Sequence, residues 1–518
     1  IAAAALVEPL LGAADSLLGW LYRRDASPLT LDAARAAASF AALILPTVLM
    51  GATLPALAQA VVRSPAHLAR RLGALYGSNT FGAAAGAFIA GFLLLPRLGV
   101  PGTRWTAVAL NALVAAAALL AGRVAPAAPP RPLMGTPADP LRATTLPIAA
   151  YALSGAIALA CEVVWTRTLV FYTGSTTYAF TVMLAVLLVG LATGGVIAGW
   201  LADRVARPHT TLAALFVAIA SGLIGGFLAL PALARTLEAW AAADLSWHRV
   251  LVVTVSLAAA TLLVPAIGFG AVFPLVARDE ILAGRPAAAG TGRAYGANLA
   301  GAVVGSLAAG FVLVPALGLY GSLRLLASVL LLAALVLALR APGRGRGAVA
   351  VAALAGVAAL PVWRLPEAPL HQPGPGETLV YYAEGSSATV SVLLDPTGAK
   401  TLFIDRIGVA GTDPVMQTDQ KSLAHLPMLL HPDPRRVLTV GFGSGGASWS
   451  YTRYPMPEHL DCVEIAREVV DAAPHLREAN HDLFTDPRYR VILDDARAYL
   501  QHSEIEYDII ATACTDLQ

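Results

Sequence analysis

The stretch Val437-Leu438-Thr439-Val440-Gly441-Phe442-Gly443-Ser444-Gly445-Gly446 decides the fold of the C-terminal part of this chain. Its apolar first half predicts a buried β-strand, and its glycine cluster predicts a tight turn into a helix. A second apolar run reaches Glu464 about 20 residues later, where a Rossmann-like unit carries the acid that binds ribose hydroxyls. The glycine cluster alone is more often a turn without a ligand, but the acid at this spacing favours a nucleotide-binding site.

The segments after Glu464 continue the alternation of strand and helix that is typical of a parallel sheet. Asp494 and Asp495 end the next predicted strand, and the loop 513–516 ends the one after it. Ligands bind at the carboxyl ends of such strands, so the glycine cluster, Glu464, Asp495 and this loop are expected to converge. The predicted elements are a helix at 466–480, a strand at 488–495, a helix at 496–502 and a strand at 507–516.

The composition divides the chain into an apolar part and a soluble part. Of the 518 residues, 57% are hydrophobic and 13% are charged, and the mean hydropathy is +0.67. Residues 1–363 account for this bias, and the Pro/Gly-rich segment 364–377 is the predicted linker to the soluble part. The net charge of +2 and the lack of a basic patch do not indicate nucleic-acid binding, and the three scattered cysteines do not indicate a metal site.

The apolar part, 1–363, is predicted to be an α-helical bundle that crosses a lipid bilayer many times. Each crossing needs roughly 20 apolar residues, and ten runs are long enough. These predicted spans are 1–22, 33–62, 73–96, 105–122, 145–167, 177–202, 211–233, 250–277, 294–316 and 323–340.

The bundle contains an internal repeat. Tyr76-Gly77-Ser78-Asn79-Thr80-Phe81-Gly82 recurs as Tyr295-Gly296-Ala297-Asn298-Leu299-Ala300-Gly301, and the same offset of 219 residues relates glycines and prolines on either side. This offset predicts two homologous six-helix halves, 1–140 and 141–345, arranged as parallel repeats like those of major-facilitator transporters. Six spans fall in the second half and four in the first, so the first half is expected to be truncated.

The arginines predict the orientation of the bundle. About 14 of them, among them Arg63, Arg70 and Arg71, fall in loops on one side, against about eight on the other. The richer side is cytoplasmic by the positive-inside rule, and it carries the C-terminal domain. The sequence therefore predicts a multi-pass protein of the inner (cytoplasmic) membrane, with its C-terminal domain on the cytoplasmic side.

Glu162 is the charge of greatest interest within the predicted spans. A carboxylate in a membrane segment is a functional-site hypothesis by default, and a polyamine site or a proton site would explain it. The alternative is a salt bridge to an arginine such as Arg167, which lies five residues further on and is imperfectly placed.

The soluble part is predicted to begin with a small β-hairpin domain at 378–415, followed by a Rossmann-like α/β domain at 416–518. Alternating apolar residues and a turn at Asp395-Pro396-Thr397-Gly398 support the hairpin. The predicted elements are strands at 378–382, 388–394 and 400–405 and a helix at 422–430.

The chain resembles the spermidine synthase (polyamine aminopropyltransferase) family, specifically its bacterial membrane forms, in which a transporter-like bundle precedes a synthase domain. The motifs that carry the resemblance are Ala424-His425-Leu426-Pro427, His431-Pro432-Asp433-Pro434, Gly441–Gly446, Val463-Glu464-Ile465, Asp494-Asp495-Ala496-Arg497, Tyr507-Asp508-Ile509-Ile510 and, in the bundle, Glu162-Val163-Val164-Trp165-Thr166-Arg167 and Gly174-Ser175-Thr176-Thr177-Tyr178-Ala179-Phe180. The resemblance implies a methyltransferase-type fold. It also implies aminopropyl transfer from decarboxylated S-adenosylmethionine to an amine such as putrescine or spermidine, releasing methylthioadenosine without a metal.

The resemblance also assigns roles to single residues. Glu464 would hold the ribose hydroxyls of the donor, and Asp495 would accept a hydrogen bond from the adenine amino group. The residues that would face the backbone of the donor, its cationic tail or the amine are Gly441, Gly443, Ser444, Gly445, Asp405, Asp419, Gln420 and Asp516.

Three positions depart from the pattern of the family. Ser444 stands where an acid pairs with the amine of the donor, and Asp419 stands where a tyrosine lines the amine site. Ala513 occupies the position of the catalytic base, so that only Asp516 remains in that loop. This alanine indicates either an inactivating substitution or a lost activity. The last strands of the family fold do not fit before Gln518, so the domain is expected to be C-terminally incomplete.

Three functions are compatible with these features. The first is a membrane-anchored polyamine synthase, favoured by Glu464 and Asp495; the second is a polyamine transporter or sensor with a silent synthase domain, favoured by Ala513 and Ser444. The third is an S-adenosylmethionine-dependent methyltransferase, against which the preceding β-domain argues. The expected partners are the amine, the lipid bilayer and, by analogy with soluble relatives, a second copy in a homodimer.

Overall fold

The computed structural model describes residues 2–24, 26–62, 67–124, 145–204, 208–241, 246–341, 346–359 and 370–512. The chain divides into two compact units. One unit is Thr47–Glu367, and the other joins Ala2–Pro46 to Ala368–Gln518.

Residues 2–359 form long apolar helices wherever they are described. Seven helical stretches of the described chain are long and apolar enough to cross a membrane. Two of these stretches, Leu68–Arg123 and Ala287–Arg340, each contain two predicted spans. The two spans of each stretch are separated by a glycine, Gly99 or Gly318, that leaves the helical conformation. The helices are α1 (Ala2–Tyr22), α2 (Pro28–Gly51), α3 (Thr53–Val61), α4 (Leu68–Ile89), α5 (Leu95–Val124), α6 (Thr145–Thr173), α7 (Thr177–Ala202), α8 (Pro208–Ala241), α9 (Trp247–Ala258), α10 (Val264–Leu282), α11 (Ala287–Ala308), α12 (Val314–Arg340) and α13 (Arg346–Ala359).

The structure repeats at the offset that the sequence shows. One π-helical turn occupies Ala90–Leu94 and another occupies Ala309–Leu313. Gly99 (φ 63°, ψ −177°) and Gly318 (φ 69°, ψ 176°) share a conformation that is open only to glycine. Within the second repeat, Asn298 Nδ2 donates to the carbonyl of Tyr151 at 3.0 Å, which ties α11 to α6.

Glycines bring α6 and α11 into backbone contact. A Cβ atom at Gly301 would lie 1.9 Å from the carbonyl oxygen of Ala152, and one at Gly305 would lie 1.9 Å from that of Ala156. The equivalent glycines of the first repeat, Gly82 and Gly86, have no such neighbour within 4 Å among the described residues.

The β-domain is a four-stranded antiparallel meander in chain order. The prediction of a hairpin missed its last strand, because two glycines, Gly408 and Gly411, weaken the apolar pattern there. Buried Val390, Val392 and Leu402 join the same core as residues of the α/β domain such as Phe442 and Val469. The strands are β1 (Thr378–Glu384), β2 (Thr389–Leu394), β3 (Lys400–Ile404) and β4 (Ile407–Gly411).

His371 fastens the chain before β1 to this meander. Its ring is buried, packs edge-on against Phe403, and places Nδ1 2.6 Å from the hydroxyl of Ser391. Burial, with a contribution from the charge of Arg406, lowers the pKa of His371 below its usual 6.5. The neutral ring therefore contributes stability that is complete above pH 6.5 and is lost as the pH falls through the lowered pKa.

The free energy of unfolding of the β-domain is accordingly expected to fall between pH 7.5 and pH 5, since the unfolded state takes up a proton that the buried ring resists. Hydrogen exchange of the β2 and β3 amides measures this fall. His371→Gln, which keeps a partner for Ser391, should remove most of the pH dependence. An equal acid loss in both proteins would assign the effect to other groups.

The α/β domain has a parallel sheet in the order β7-β6-β5-β8. The quoted stretch folds as predicted, with a strand that ends at Val440 and a helix that begins at Gly446. The strands are β5 (Arg436–Val440), β6 (His459–Glu464), β7 (Tyr489–Leu493) and β8 (Ile509–Thr512), and the helices are α14 (Pro414–Leu430), α15 (Gly446–Thr452), α16 (Arg467–Asp471), α17 (Arg477–Asn480) and α18 (Ala496–His502).

Two helices differ from their predictions for local reasons. The predicted helix 422–430 begins eight residues earlier, because Asp413 caps the amides of Val415 and Met416 and Pro414 occupies the first helical position. The predicted helix 466–480 is broken into α16, a 3₁₀ turn at Ala473–Leu476 and α17. Pro474 lies at the break and has no amide hydrogen to continue α16.

Candidate functional site at the carboxyl edge of the sheet

The glycine loop between β5 and α15 needs glycine at three positions. Gly441, Gly443 and Gly445 have φ angles of 86°, 55° and 80°, a region that other residues enter at a cost of about 1–2 kcal/mol. The amide of Gly441 donates to the carbonyl of Val463 at 2.9 Å, which holds the start of the loop against the end of β6. The loop thus presents backbone rather than side chains at the edge of the sheet.

Gly445→Ala is expected to destabilise the α/β domain by about 2 kcal/mol, since the left-handed backbone disfavours alanine and the added methyl group has no room. The new Cβ would lie 2.7 Å from Cβ of Asn480 and 2.8 Å from Cζ of Phe442. Hydrogen exchange of the β5 and β6 amides measures the loss. Gly398→Ala is the matched control, because Gly398 has φ 89° but no neighbour within 4 Å; an equal loss there would mean that strain alone accounts for the effect.

Glu464 ties the end of β6 to the glycine loop. Its side chain is only 6% exposed. One carboxylate oxygen accepts from the amide of Phe442 at 2.9 Å, and the other accepts from the amide of Ala466 at 2.9 Å. Because each carboxylate oxygen has further lone pairs, Glu464 keeps acceptor capacity for a pair of hydroxyl groups next to the loop.

Asp495 lies at the carboxyl end of β7. Its side chain accepts from the amide of Ala498 at 2.8 Å and so caps α18. A cavity of about 910 Å³ opens here, lined by Ile465 after β6 and by Asp494 and Asp495 after β7. The structure therefore brings the glycine loop, Glu464 and Asp495 to one edge of one sheet; the loop 513–516, the fourth member of the predicted group, lies outside the described residues.

Asp494 has partners that the sequence gives no sign of. Within the same compact unit, Arg35 of α2 donates to Asp494 at 2.8 Å, and the hydroxyl of Tyr22 of α1 donates to the other oxygen of the same carboxylate. Asp494 in turn accepts from the amide of Asp495 at 2.8 Å. Tyr22 and Arg35 therefore fix the residue next to Asp495, and both also line the cavity.

Ser444 belongs to a buried cluster of uncharged polar groups. Its hydroxyl donates to the side-chain oxygen of Gln420. Gln417, which sequence reasoning missed, donates its side-chain amide to the carbonyl of Gly411 at 2.6 Å. Ser444 is fully buried, and Gln417 and Gln420 are each 8% exposed. The sequence signal for this pair is the spacing of the two glutamines, which lie about one turn apart on α14 and so share a face of the helix.

Two predicted amine-site residues lie apart from this cluster. Asp419 is exposed, since one residue along α14 turns it about 100° away from Gln420. Asp405 lies in the β3–β4 turn, where its carboxylate accepts from the amide of Thr389 at 3.0 Å. Gly411, at the other end of β4, is the residue whose carbonyl accepts from Gln417. Asp405 is thus a strand length, about 15 Å, from the polar cluster.

The remaining predicted site residues lie elsewhere. Ala513 and Asp516 lie outside the described residues. Glu162 belongs to the helical unit, on α6, where its backbone carbonyl accepts from the hydroxyl of Thr166 at 2.8 Å. Among the described residues, no group of three or more His, Cys, Asp and Glu side chains lies close enough to hold a metal ion.

Comparison with known proteins bears on this edge of the sheet. Residues 416–518 match the family model described as "Spermine/spermidine synthase domain". This segment is a spermine/spermidine synthase domain. The synthase domain includes the whole parallel sheet, the glycine loop, Glu464 and Asp495.

Curated relatives match part of the chain. The polyamine aminopropyltransferase of Nitrosomonas europaea is 37% identical over 95 residues, which is 18% of this chain and 29% of the relative. Polyamine aminopropyltransferase 1 of Aquifex aeolicus is 29% identical over 160 residues, covering 30% of this chain and 54% of the relative. The chain thus spans about half, or less, of the length of these relatives.

Two solved structures are also similar to part of the chain. A spermidine synthase in complex with the transition-state analogue AdoDATO is 26% identical, with a TM-score of 0.25, and the match covers 27% of this chain and 47% of the solved chain. The spermidine synthase from Thermotoga maritima is 25% identical with a TM-score of 0.25, over 26% of this chain and 48% of the solved chain.

Proposed function

We propose that the protein transfers an aminopropyl group from decarboxylated S-adenosylmethionine to putrescine or a related amine and releases methylthioadenosine. The main support for this proposal is the position of Glu464, whose carboxylate is hydrogen-bonded to the glycine loop within a domain of the spermine/spermidine synthase family. An acid already fixed by two amides can accept from two ribose hydroxyls without first being ordered, which favours binding.

The chemistry asks little of the protein beyond orientation and a base. A neutral amine nitrogen attacks the carbon next to the sulfonium sulfur, the N–C bond forms, and the C–S bond breaks with its electron pair moving to sulfur. The product amine then loses a proton. Positioning both reactants contributes most of the rate, and a carboxylate that takes the proton contributes the rest.

The residues available for these roles are those of the sheet edge and the loop after β8. Glu464 would hold the ribose, Asp495 the adenine amino group, and the glycine loop the body of the donor. Gln420 and Ser444 would lie along the tail of the donor, whereas the exposed position of Asp419 and the distance of Asp405 from the glycine loop favour neither as a contact. Asp516 would face the amine, and Ala513 leaves the position of the base without a carboxylate.

An aminopropyl-transfer assay tests the proposal. Purified full chain, with Ala513 as it stands and with Ala513→Asp, is incubated with decarboxylated S-adenosylmethionine and a panel of amines, and methylthioadenosine is measured. We expect a gain of at least about 100-fold in Ala513→Asp, the lower end of the range for a general base. No product from either protein, with methylthioadenosine still bound, would favour a sensor or transporter with a silent domain.

The same assay separates transferase classes. S-adenosylmethionine and decarboxylated S-adenosylmethionine are compared as donors, and the group that reaches the amine is identified by mass. Methyl transfer from S-adenosylmethionine would replace this proposal with a methyltransferase.

Attachment to a membrane is part of the proposal, supported by the seven long apolar helices of the described chain. The cytoplasmic placement of the synthase domain rests on the arginine count and stays a prediction. The homodimer likewise stays a prediction, which light scattering of the detergent-solubilised protein tests.

A further inference from the structure

The helical unit contains a cavity that the proposed transferase does not use. It has a volume of about 370 Å³ and lies between α6, the turn that leads into α7, α7 itself and α9. Six of its 13 lining residues carry a hydroxyl group. The lining residues are Thr166, Leu169, Val170, Thr173, Gly174, Ser175, Thr176, Thr177, Ala179, Phe180, Met183, Thr254 and Ala258.

Three of these hydroxyl groups already donate their proton in a hydrogen bond to a backbone carbonyl of their own helix. Thr166 donates to the carbonyl of Glu162 at 2.8 Å, Thr173 to that of Leu169 at 2.9 Å, and Thr254 to that of Val250 at 2.9 Å. A hydroxyl that donates in this way keeps its lone pairs. The cavity wall therefore offers these three groups as hydrogen-bond acceptors, which suits a ligand that carries N–H or O–H donors.

Glu162 adds a carboxylate one helical turn deeper than Thr166 on the same face of α6. It does not line the cavity itself, but the separation of one turn is about 6 Å, close enough for a charge to act in a medium of low dielectric constant. The side chain is partly buried, and the described residues provide its carboxylate with no ion pair or hydrogen bond. Arg167, five residues further on, points about 140° away around the helix and does not face Glu162.

The rest of the wall is apolar. Leu169, Val170, Phe180 and Ala258 surround the hydroxyls, and such surface is stabilised by contact with a hydrocarbon chain. A cavity with hydrogen-bond acceptors, a nearby negative charge and an apolar wall suits a ligand with a primary ammonium group on a short alkyl chain.

We propose that this cavity is a binding site for a primary organic ammonium ion, with its N–H groups on Thr166, Thr173 and Thr254, its charge facing Glu162 and its alkyl chain on the apolar wall. This site is separate from the sheet edge of the synthase domain, and the proposal does not rest on aminopropyl transfer.

The test reads the cavity locally, so that an amine bound in the synthase domain does not interfere. Ser175→Cys places a thiol in the cavity lining, and full-length protein in phosphatidylcholine nanodiscs is labelled with a maleimide at increasing concentrations of 1,4-diaminobutane. The two described native cysteines, Cys161 and Cys462, are buried, and labelling at residue 175 is followed by peptide mass. The proposal expects the diamine to protect this thiol with a measurable midpoint.

Single substitutions then identify the groups that bind. Thr166→Val and Thr254→Val, each added to Ser175→Cys, should raise the midpoint about tenfold, the effect of one hydrogen bond to a charged group. Glu162→Gln should raise it as well, through the loss of a nearby negative charge. Thr236→Val is the matched control: Thr236 makes the same bond, to the carbonyl of Ala232 at 2.9 Å, but does not line the cavity, so the midpoint should not change. Because Thr166 and Thr254 lie on different helices, misfolding of one variant leaves the other as a test.

The choice of amine distinguishes the proposal from simpler explanations. The permethylated diamine carries the same charge without N–H groups, and 1,4-butanediol has the chain without the charge, so both should protect at least about tenfold less well. Equal protection by the permethylated compound would overturn the role of the hydroxyls. No protection by the diamine, or an unchanged midpoint in both threonine variants, would overturn the site.

Discussion

Glu464→Gln is expected to weaken the binding of methylthioadenosine about 100-fold, measured by calorimetry on the full-length protein. The carboxylate accepts from two backbone amides, and glutamine has one oxygen to offer where two are needed. Its NH₂ group would face an amide N–H, which leaves a buried donor unsatisfied at a cost of about 1–3 kcal/mol. That cost falls on the free and the bound protein alike, so it lowers stability. The weaker binding comes from the lost charge-assisted bond to a ribose hydroxyl, for which about 3 kcal/mol corresponds to about 100-fold.

Glu458→Gln is the control for this prediction. Glu458 immediately precedes β6, and its exposed side chain pairs with Arg435 at 2.6 Å, far from the glycine loop. Its loss should leave the affinity unchanged, as expected for an exposed ion pair. Equal affinity of Glu464→Gln and the unchanged protein would show that Glu464 only fastens the loop and does not hold the ribose.

Gly301→Ala is expected to destabilise the helical unit by about 3 kcal/mol, the upper end of the range for overpacking. The new Cβ would lie 1.9 Å from the carbonyl oxygen of Ala152, and backbone cannot rotate away as a side chain can. Helices α6 and α11 must separate, which lengthens the bond from Asn298 to Tyr151. The midpoint of thermal unfolding in detergent and the hydrogen exchange of α6 measure the effect.

The repeat supplies the control. Gly82 is the copy of Gly301 at the offset of 219 residues, and an added Cβ there meets no atom within 4 Å among the described residues. Where no further helix covers this face of α4, Gly82→Ala should be neutral or slightly stabilising, because alanine favours helix over glycine by up to about 1 kcal/mol. A similar loss in both variants would mean that the face of α4 is covered in the folded protein.

The candidate site residues that lie close together in the sequence could be predicted from local residue patterns. The strand, the glycine loop and Glu464 follow from the spacing of apolar, glycine and acidic residues, because the chain connection alone places the ends of adjacent parallel strands together. The early start of α14 is also encoded locally, because Asp413-Pro414 is the sequence signal of a capped helix N-terminus.

The partners of Asp494 could not be predicted in this way. Tyr22 and Arg35 lie 472 and 459 residues before it, and no local pattern of charge or spacing connects them. Gln417 was missed for a different reason: its role depends on the meander, whose last strand ends at the carbonyl of Gly411. That strand contains Gly408 and Gly411, and glycine is depleted in strands, so its composition does not predict one.

The bonds from Tyr22 and Arg35 to Asp494 also have a topological consequence. They join the turn between α1 and α2 to the synthase domain within one unit. Helix α2 belongs to one of the seven stretches that are long and apolar enough to cross a membrane, whereas α1 belongs to none of them. A bilayer crossed by both helices would require that turn and the domain to emerge from the same leaflet. The turn carries Arg23 and Arg24, which the arginine count places on the poorer side, so for such a crossing the bonds and the arginine count predict opposite faces for the domain.

A membrane-impermeant thiol reagent distinguishes the two topologies in sealed vesicles of known orientation. Arg24→Cys and Glu458→Cys are expected to react from the same side, because the turn and the domain share a leaflet. Labelling of both from the outer side would place the synthase domain with an extracytoplasmic pool of substrates, whereas labelling from opposite sides would exclude the Tyr22 and Arg35 bonds from the membrane-embedded protein.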